Sequence, residues 1–363
     1  MSRIIWLYNR GFSEQNILDE DLPGFKNYKR ISTLVNTGNS TIDRTGVIQS
    51  PFRTKNISPI PDFDPNFAMS YQDCCMDRML AFDEQYRRTG RKFRVMYSGG
   101  LDSSAIVAAF INFYGLDKTS QLLEICCSPE SINENPWLWD RYIRRGKFTL
   151  VPSYKHTMLW HDDVNCINGE VNDQLFAGQS LATYKKNKDL YSTKNYDDFI
   201  YSSLAKKNDI TDYHLNIMEA QLKAAPFPLV NFYMYIWWRG FASFYGTNQV
   251  KSFSQTPLDK IPDRLIENNY GQFFASDEFQ KWSMKWHCDY PDSFCDHDNQ
   301  KKVCRDYILN TLNIPEYEIK MKHASYPRLH TKRPVIAFID EDYNVYRDWN
   351  KLLDFVEPNN SYL

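Results

Sequence analysis

Two short stretches hold residue types that could do phosphate chemistry. In Ser98-Gly-Gly-Leu-Asp-Ser-Ser104 a glycine pair follows the apolar run Val95, Met96 and Tyr97 and precedes Ile106, Ala109, Phe110 and Phe113, which recur at helical spacing. The pattern predicts strand, tight turn, helix. Glycines at such a turn let backbone come close to an anion, and the helix start aims unpaired N–H groups and a positive dipole end at it. Ser98, Ser103 and Ser104 add hydroxyls, and Leu101 carries the turn into the helix. Asp102 is out of place beside phosphate unless a divalent cation bridges the two, which points to Mg²⁺. The lysine-bearing spacing of the common mononucleotide loop is absent. The second stretch, Asn165-Cys-Ile-Asn-Gly-Glu-Val-Asn-Asp-Gln-Leu-Phe-Ala-Gly178, supplies Gly169, Glu170 and Asp173 about seventy residues later. Glu170 and Asp173 thereby add two further carboxylates to the candidate set.

Ser98–Ser104 resembles the SGGxDS loop of the PP-loop ATP pyrophosphatases, which split ATP into AMP and pyrophosphate, and the form SGGLDSS resembles the asparagine synthetase and β-lactam synthetase branch. Gly169, Glu170, Asp173, Leu175, Phe176 and Gly178 are similar to that branch's GEGxDExFxG signature, with Val171 in place of a glycine and Gln174 in place of an acid. The resemblance implies ATP and Mg²⁺ as cofactors. It implies nucleotide binding by Ser98, Gly99, Gly100, Leu101, Asp102, Ser103, Ser104 and Gly169, and metal binding by Asp102 and Asp173. It also implies a lysine that stabilises charge on the reacting carboxyl and pyrophosphate. Lys322 is the best match and Lys320 the runner-up, and with Glu170 and Asp102 it completes the expected catalytic set. The reaction implied is adenylation of a small-molecule carboxylate followed by transfer to ammonia or an amine, with a separate ammonia-supplying protein as a conceivable partner. Alternatives are adenylation of a nucleobase carbonyl and non-catalytic nucleotide binding. Glutamine-dependent members carry a longer N-terminal glutaminase domain with a cysteine after the initiator methionine; Ser2 stands there, so no glutaminase activity is expected.

Elements that must position these groups follow from the same patterns. Tyr71, Cys74, Cys75, Met79, Phe82 and Tyr86 form one apolar stripe, predicting a helix over 71–88 that ends at Thr89-Gly90. Gln121–Cys127 and Phe148–Val151 read as further buried strands, with a helix from Pro136 to about Arg145 between them. Strands and helices alternating in this way predict a parallel α/β layer, in which ligands sit at the carboxyl ends of the strands. The class expected is α/β, and the resemblance implies that its parallel sheet is a HUP-like PP-loop domain over 69–180. A small β or irregular region over 1–68 precedes it, and a mainly helical lobe over 181–363 follows, ending in a hairpin near Val335–Ile339 and Asn344–Tyr346.

Composition narrows the class further. With 363 residues the chain supports a large core, and 43 Lys plus Arg against 45 Asp plus Glu leave no global field to hold nucleic acid or an anionic membrane. Eight cysteines are too sparse for a disulfide scaffold, and the pairs Cys74-Cys75 and Cys126-Cys127 lie in apolar runs, as reduced core thiols of a cytoplasmic protein would. The N-terminal apolar run is too short for a signal peptide, and Pro226–Trp238 is too short to span a bilayer. His287, Cys288, Cys295 and His297 fall within eleven residues, but their spacing matches no standard zinc pattern and no metal is expected there.

Overall fold

The computed structural model describes residues 6–7, 24–36, 43–51, 58–152, 163–177, 211–245, 270–291, 301–316, 338–339 and 345–346. In chain order, strand β1 (Trp6–Leu7) and helix α1 (Phe25–Asn36) precede α2 (Tyr71–Thr89), β2 (Lys92–Met96) and α3 (Leu101–Leu122). Next come β3 (Leu123–Cys127), α4 (Pro129–Glu134), α5 (Pro136–Leu138), β4 (Leu150–Pro152), β5 (Val164–Asn168) and α6 (Asn172–Leu175). The remainder is α7 (Asp212–Lys223), α8 (Phe232–Arg239), β6 (Tyr270–Gln272), α9 (Asp277–Asp289), α10 (Lys302–Leu312), β7 (Phe338–Ile339) and β8 (Val345–Tyr346).

Local signals explain where the helices begin and end. Ser70 caps α2, accepting from the Asp73 N–H while the Asp73 carboxylate accepts from the Ser70 N–H, and Gly90 closes the helix in the left-handed region. Its stripe buries Tyr71, Cys74, Cys75, Met79 and Phe82. Ser276 caps α9, with Asp277 and Glu278 in the first turn, where acids complement the helix dipole. The predicted helix from Pro136 is α5, which runs on as a π-helical turn over Trp139–Ile143.

Strands β4-β3-β2-β5-β6 form one sheet in that order, and every pairing in it is parallel. Val95 sits opposite Ile125 on one side and Ile167 on the other, and all three are fully buried. Such two-faced burial is expected of a parallel sheet covered by helices. The α/β class therefore holds. A small antiparallel sheet, β1-β7-β8, joins Trp6–Leu7 to the Phe338–Ile339 and Val345–Tyr346 hairpin expected near the end of the chain.

Two regional expectations need correction. The 1–68 region was expected to be β or irregular, yet it holds the 12-residue helix α1, whose Phe25, Tyr28 and Ile31 are buried. Turn-forming residues on either side mask a short apolar face that packs on α7. Farther on, Arg44 is buried and donates to the carbonyls of Ser58 (2.6 Å) and Phe241 (2.7 Å) and to Gln280, with its guanidinium 4.0 Å from the Tyr245 ring centroid. The lobe beyond 180 is expected to be mainly helical up to its terminal hairpin, but β6 pairs with β5 through Cys166 opposite Tyr270 and completes the main sheet. Three residues are too few to show a period.

Among the described residues no helix is long and apolar enough to cross a membrane. The described cysteines are all free, and Cys74, Cys75, Cys126, Cys127, Cys166 and Cys304 are buried. His287 belongs to the core: its ring stacks on Trp237 at 4.2 Å, and its Nδ1 lies 2.7 Å from the Ser283 carbonyl. Cys295 and His297 lie outside the described residues.

Burial holds the His287 pKa down at about 3, against the pull of the Ser283 carbonyl. Because the unfolded chain binds this proton from about pH 6.5 downward and the folded chain does not, acidification favours unfolding. Urea denaturation should show this residue removing about 2 kcal/mol of stability between about pH 7 and about pH 5. His287→Phe should lack that part of the pH dependence; identical pH slopes for the two proteins would contradict the assignment.

Candidate functional site

The strand–turn–helix expected around Ser98–Ser104 is present: β2 ends at Met96, and α3 begins at Leu101 with Gly100 at its N-cap. No side chain caps α3, so its first-turn N–H groups point out of the helix without a local acceptor. Hydroxyls brace the turn. Ser103 Oγ accepts from the Ser98 N–H (3.2 Å) and donates to the Gly100 carbonyl (3.2 Å), and Ser98 Oγ accepts from the Gly100 N–H (3.3 Å). Ser104 is fully buried; its Oγ donates to the Gly99 carbonyl (3.4 Å) and accepts from Asn135 Nδ2 (3.3 Å).

Gly99 needs to be glycine for two reasons. Its φ of +75° lies in the left-handed region, and a Cβ there would overlap the Ser131 carbonyl oxygen and lie 2.7 Å from Glu134 Cβ. Helix α4, which was not anticipated, thus forms the floor beneath the turn. Its own N-cap, Ser128, directly follows β3.

The second motif arrives at the first because β5 pairs with β2. Gly169 follows the last residue of β5 and abuts α3, and a Cβ at Gly169 would come 3.0 Å from Asp102 Cβ and 3.2 Å from the Phe274 ring. Three residues on, α6 begins and carries Asn172 and Asp173. Asn172 is fully buried. It donates through Nδ2 to Asp102 Oδ1 (2.6 Å) and accepts at Oδ1 from the Tyr71 hydroxyl (3.3 Å). Tyr71 is itself boxed by Phe176, Phe274, Phe279, Trp282 and Tyr307.

Asp102 and Asp173 meet on a third group. The ammonium of Lys301 lies 2.6 Å from Asp102 Oδ1 and 2.6 Å from Asp173 Oδ1, with only 10% of the lysine side chain exposed. Burial alone would discharge this amine, but the two carboxylates outweigh it and hold the ammonium above the ordinary lysine range. Burial also raises the Asp102 carboxyl, and the neighbouring Asp173 adds to this against the opposing pull of Lys301 and Asn172.

Lys301 was not singled out from the sequence. It is the N-cap residue of α10, where a cation faces the positive end of the helix dipole. A lysine in that position, directly before the apolar period Val303, Tyr307 and Ile308, was the available signal.

The other sequence candidates fall as follows. Glu170 stands at the turn after β5, half-buried, with its N–H donated to Asn168 Oδ1 (3.2 Å). Val171 and Gln174, the two departures from the expected signature, are both buried, and Val171 belongs to the hydrophobic core. With both in place, Asp102 and Asp173 still meet on Lys301. Lys322, Lys320, Gly178 and Ser2 lie outside the described residues.

Hard carboxylate oxygens converging beside an uncapped helix N-terminus suit Mg²⁺, which takes one or two carboxylates and completes its shell with phosphate oxygens and water. Among the described residues no cluster of three or more His, Cys, Asp or Glu side chains could hold a metal by themselves. The donor set thus fits a cation shared with a phosphate ligand. A comparison with protein-family models gives no match, and a comparison with curated proteins gives none either.

Gly99→Ala tests the grip directly. The left-handed φ costs about 1–2 kcal/mol for a residue with a Cβ, and overlap with α4 adds about 1–3 kcal/mol. Gly90→Ala, also in the left-handed region (φ +67°), has open space around the added carbon, so it should show only the first cost in urea denaturation. Equal losses for the two variants would contradict the close packing under the turn.

Proposed function

We propose that this chain is an ATP-dependent carbon–nitrogen ligase of the PP-loop type, similar to the synthetase domain of asparagine synthetase. One observation carries the reading: Asp102 and Asp173, from motifs some seventy residues apart, meet at one point beside the uncapped N-terminus of α3. A structural turn does not require that meeting. A site for phosphates and a divalent cation does.

In this reading the turn over Ser98–Gly100 and the first-turn N–H groups at Leu101, Asp102 and Ser103 receive the phosphates of ATP, with Ser98, Ser103 and Ser104 fixing the turn's shape. Gly169 keeps backbone close to Asp102. Asp102 and Asp173 would hold Mg²⁺, whose contribution is to neutralise phosphate charge. A small-molecule carboxylate attacks the α-phosphorus, pyrophosphate leaves, and ammonia or an amine displaces AMP from the acyl-adenylate. The protein's share is positioning and charge stabilisation. Glu170, at the turn after β5, is assigned to the reacting centre, and Lys322, with Lys320 as alternative, to the charge on the reacting carboxyl. Those lysine assignments rest on resemblance. The buried free thiols fit a reducing compartment and hence a cytoplasmic protein.

The test is a screen of carboxylic acids and amines by ATP–pyrophosphate exchange, with nucleotide products resolved by chromatography. AMP and pyrophosphate should form without ADP, and Asp173→Asn should lower exchange by about tenfold or more. ADP as the product, or unchanged exchange in Asp173→Asn, would overturn the reading.

A further inference from the structure

We propose that Lys301 is a tethered counter-cation that closes the Asp102–Asp173 pair to free divalent ions, so that a divalent cation enters only with a phosphate-bearing ligand able to take over the lysine. The inference rests on reading the two aspartates as metal carboxylates. The ammonium is 2.6 Å from one oxygen of each carboxylate and nearly buried. A divalent cation held by these two carboxylates would draw on the same oxygens that the ammonium already engages. A free divalent ion must therefore displace a charged, hydrogen-bonded lysine that stands at the positive end of the α10 dipole, an unfavourable place for an unpaired cation. An anion arriving at the N-terminus of α3 changes this balance by offering the lysine a second partner. Asn172, whose amide also donates to Asp102 Oδ1, keeps that carboxylate aimed at the same point in either condition.

Manganese serves as the probe, read by electron paramagnetic resonance of free Mn²⁺ and by calorimetry, with the full chain and no nucleotide. Wild type and Lys301→Arg should bind Mn²⁺ about tenfold more weakly than Lys301→Met, because only the last removes the cation that sits between the two carboxylates. Adding Asp173→Asn to Lys301→Met should abolish the gained site. Should Lys301→Met fail to fold, Lys301→Gln keeps hydrogen-bond donors without the charge and should behave in the same way. A wild-type Mn²⁺ site that Asp173→Asn removes, or a folded Lys301→Met protein with no gain, would overturn the inference. Neither result bears on whether the chain makes AMP and pyrophosphate, which the exchange assay decides separately.

Discussion

The contact on which the site depends is the ion cluster of Lys301, Asp102 and Asp173. It ties together three segments that are far apart in sequence: the first turn of α3, the short helix after β5, and the start of α10. Removing charges of this kind from water is costly, and the cost is recovered only when the partners are close and the remaining polar atoms are satisfied. Here Asn172 satisfies Asp102, and Tyr71 satisfies Asn172. The order of dependence runs outward: the aromatic box fixes Tyr71, Tyr71 orients the amide, the amide orients the carboxylate, and the carboxylate meets the lysine.

The sheet makes that meeting possible. Because all its pairings are parallel, the carboxyl ends of β2, β3, β5 and β6 face the same edge. From that edge spring the Ser98–Gly100 turn, the α4 floor, the Gly169 turn and the Phe273–Phe274 pair, whose second ring closes on Gly169. Placing β2 at the centre, between β3 and β5, brings the two motifs side by side although some seventy residues separate them. A crevice at this edge is the usual ligand position in open α/β sheets.

Legibility in the sequence followed the strength of local signals. The Ser98–Ser104 turn, the helix from Tyr71, and the strands near Val95 and Ile125 carry glycine, capping and periodic patterns that a single sequence displays. Helix α1 and strand β6 do not: one is short and flanked by turn formers, and the other is three residues completed by its neighbour β5. Asp102 and Asp173 were legible as candidate ligands because a carboxylate in a phosphate turn demands a cation. Lys301 was not, since nothing local to Gln300–Arg305 shows that the lysine is within reach of α3; that proximity is a property of the fold. That Val171 and Gln174 are buried was likewise not legible, because burial depends on the elements packed around α6.

The central claim is that Lys301 and the aspartates act as one electrostatic unit, and a double-mutant cycle between Lys301→Met and Asp173→Asn tests it most directly. Unfolding free energies in urea would be measured for wild type, both single variants and the double variant at neutral pH. The account predicts that the double variant is less destabilised than the sum of the singles, by roughly 1–3 kcal/mol, because Asp173→Asn relieves the repulsion that Lys301→Met exposes. Additivity to within about 0.5 kcal/mol would show that the two side chains do not depend on each other, and would contradict the account.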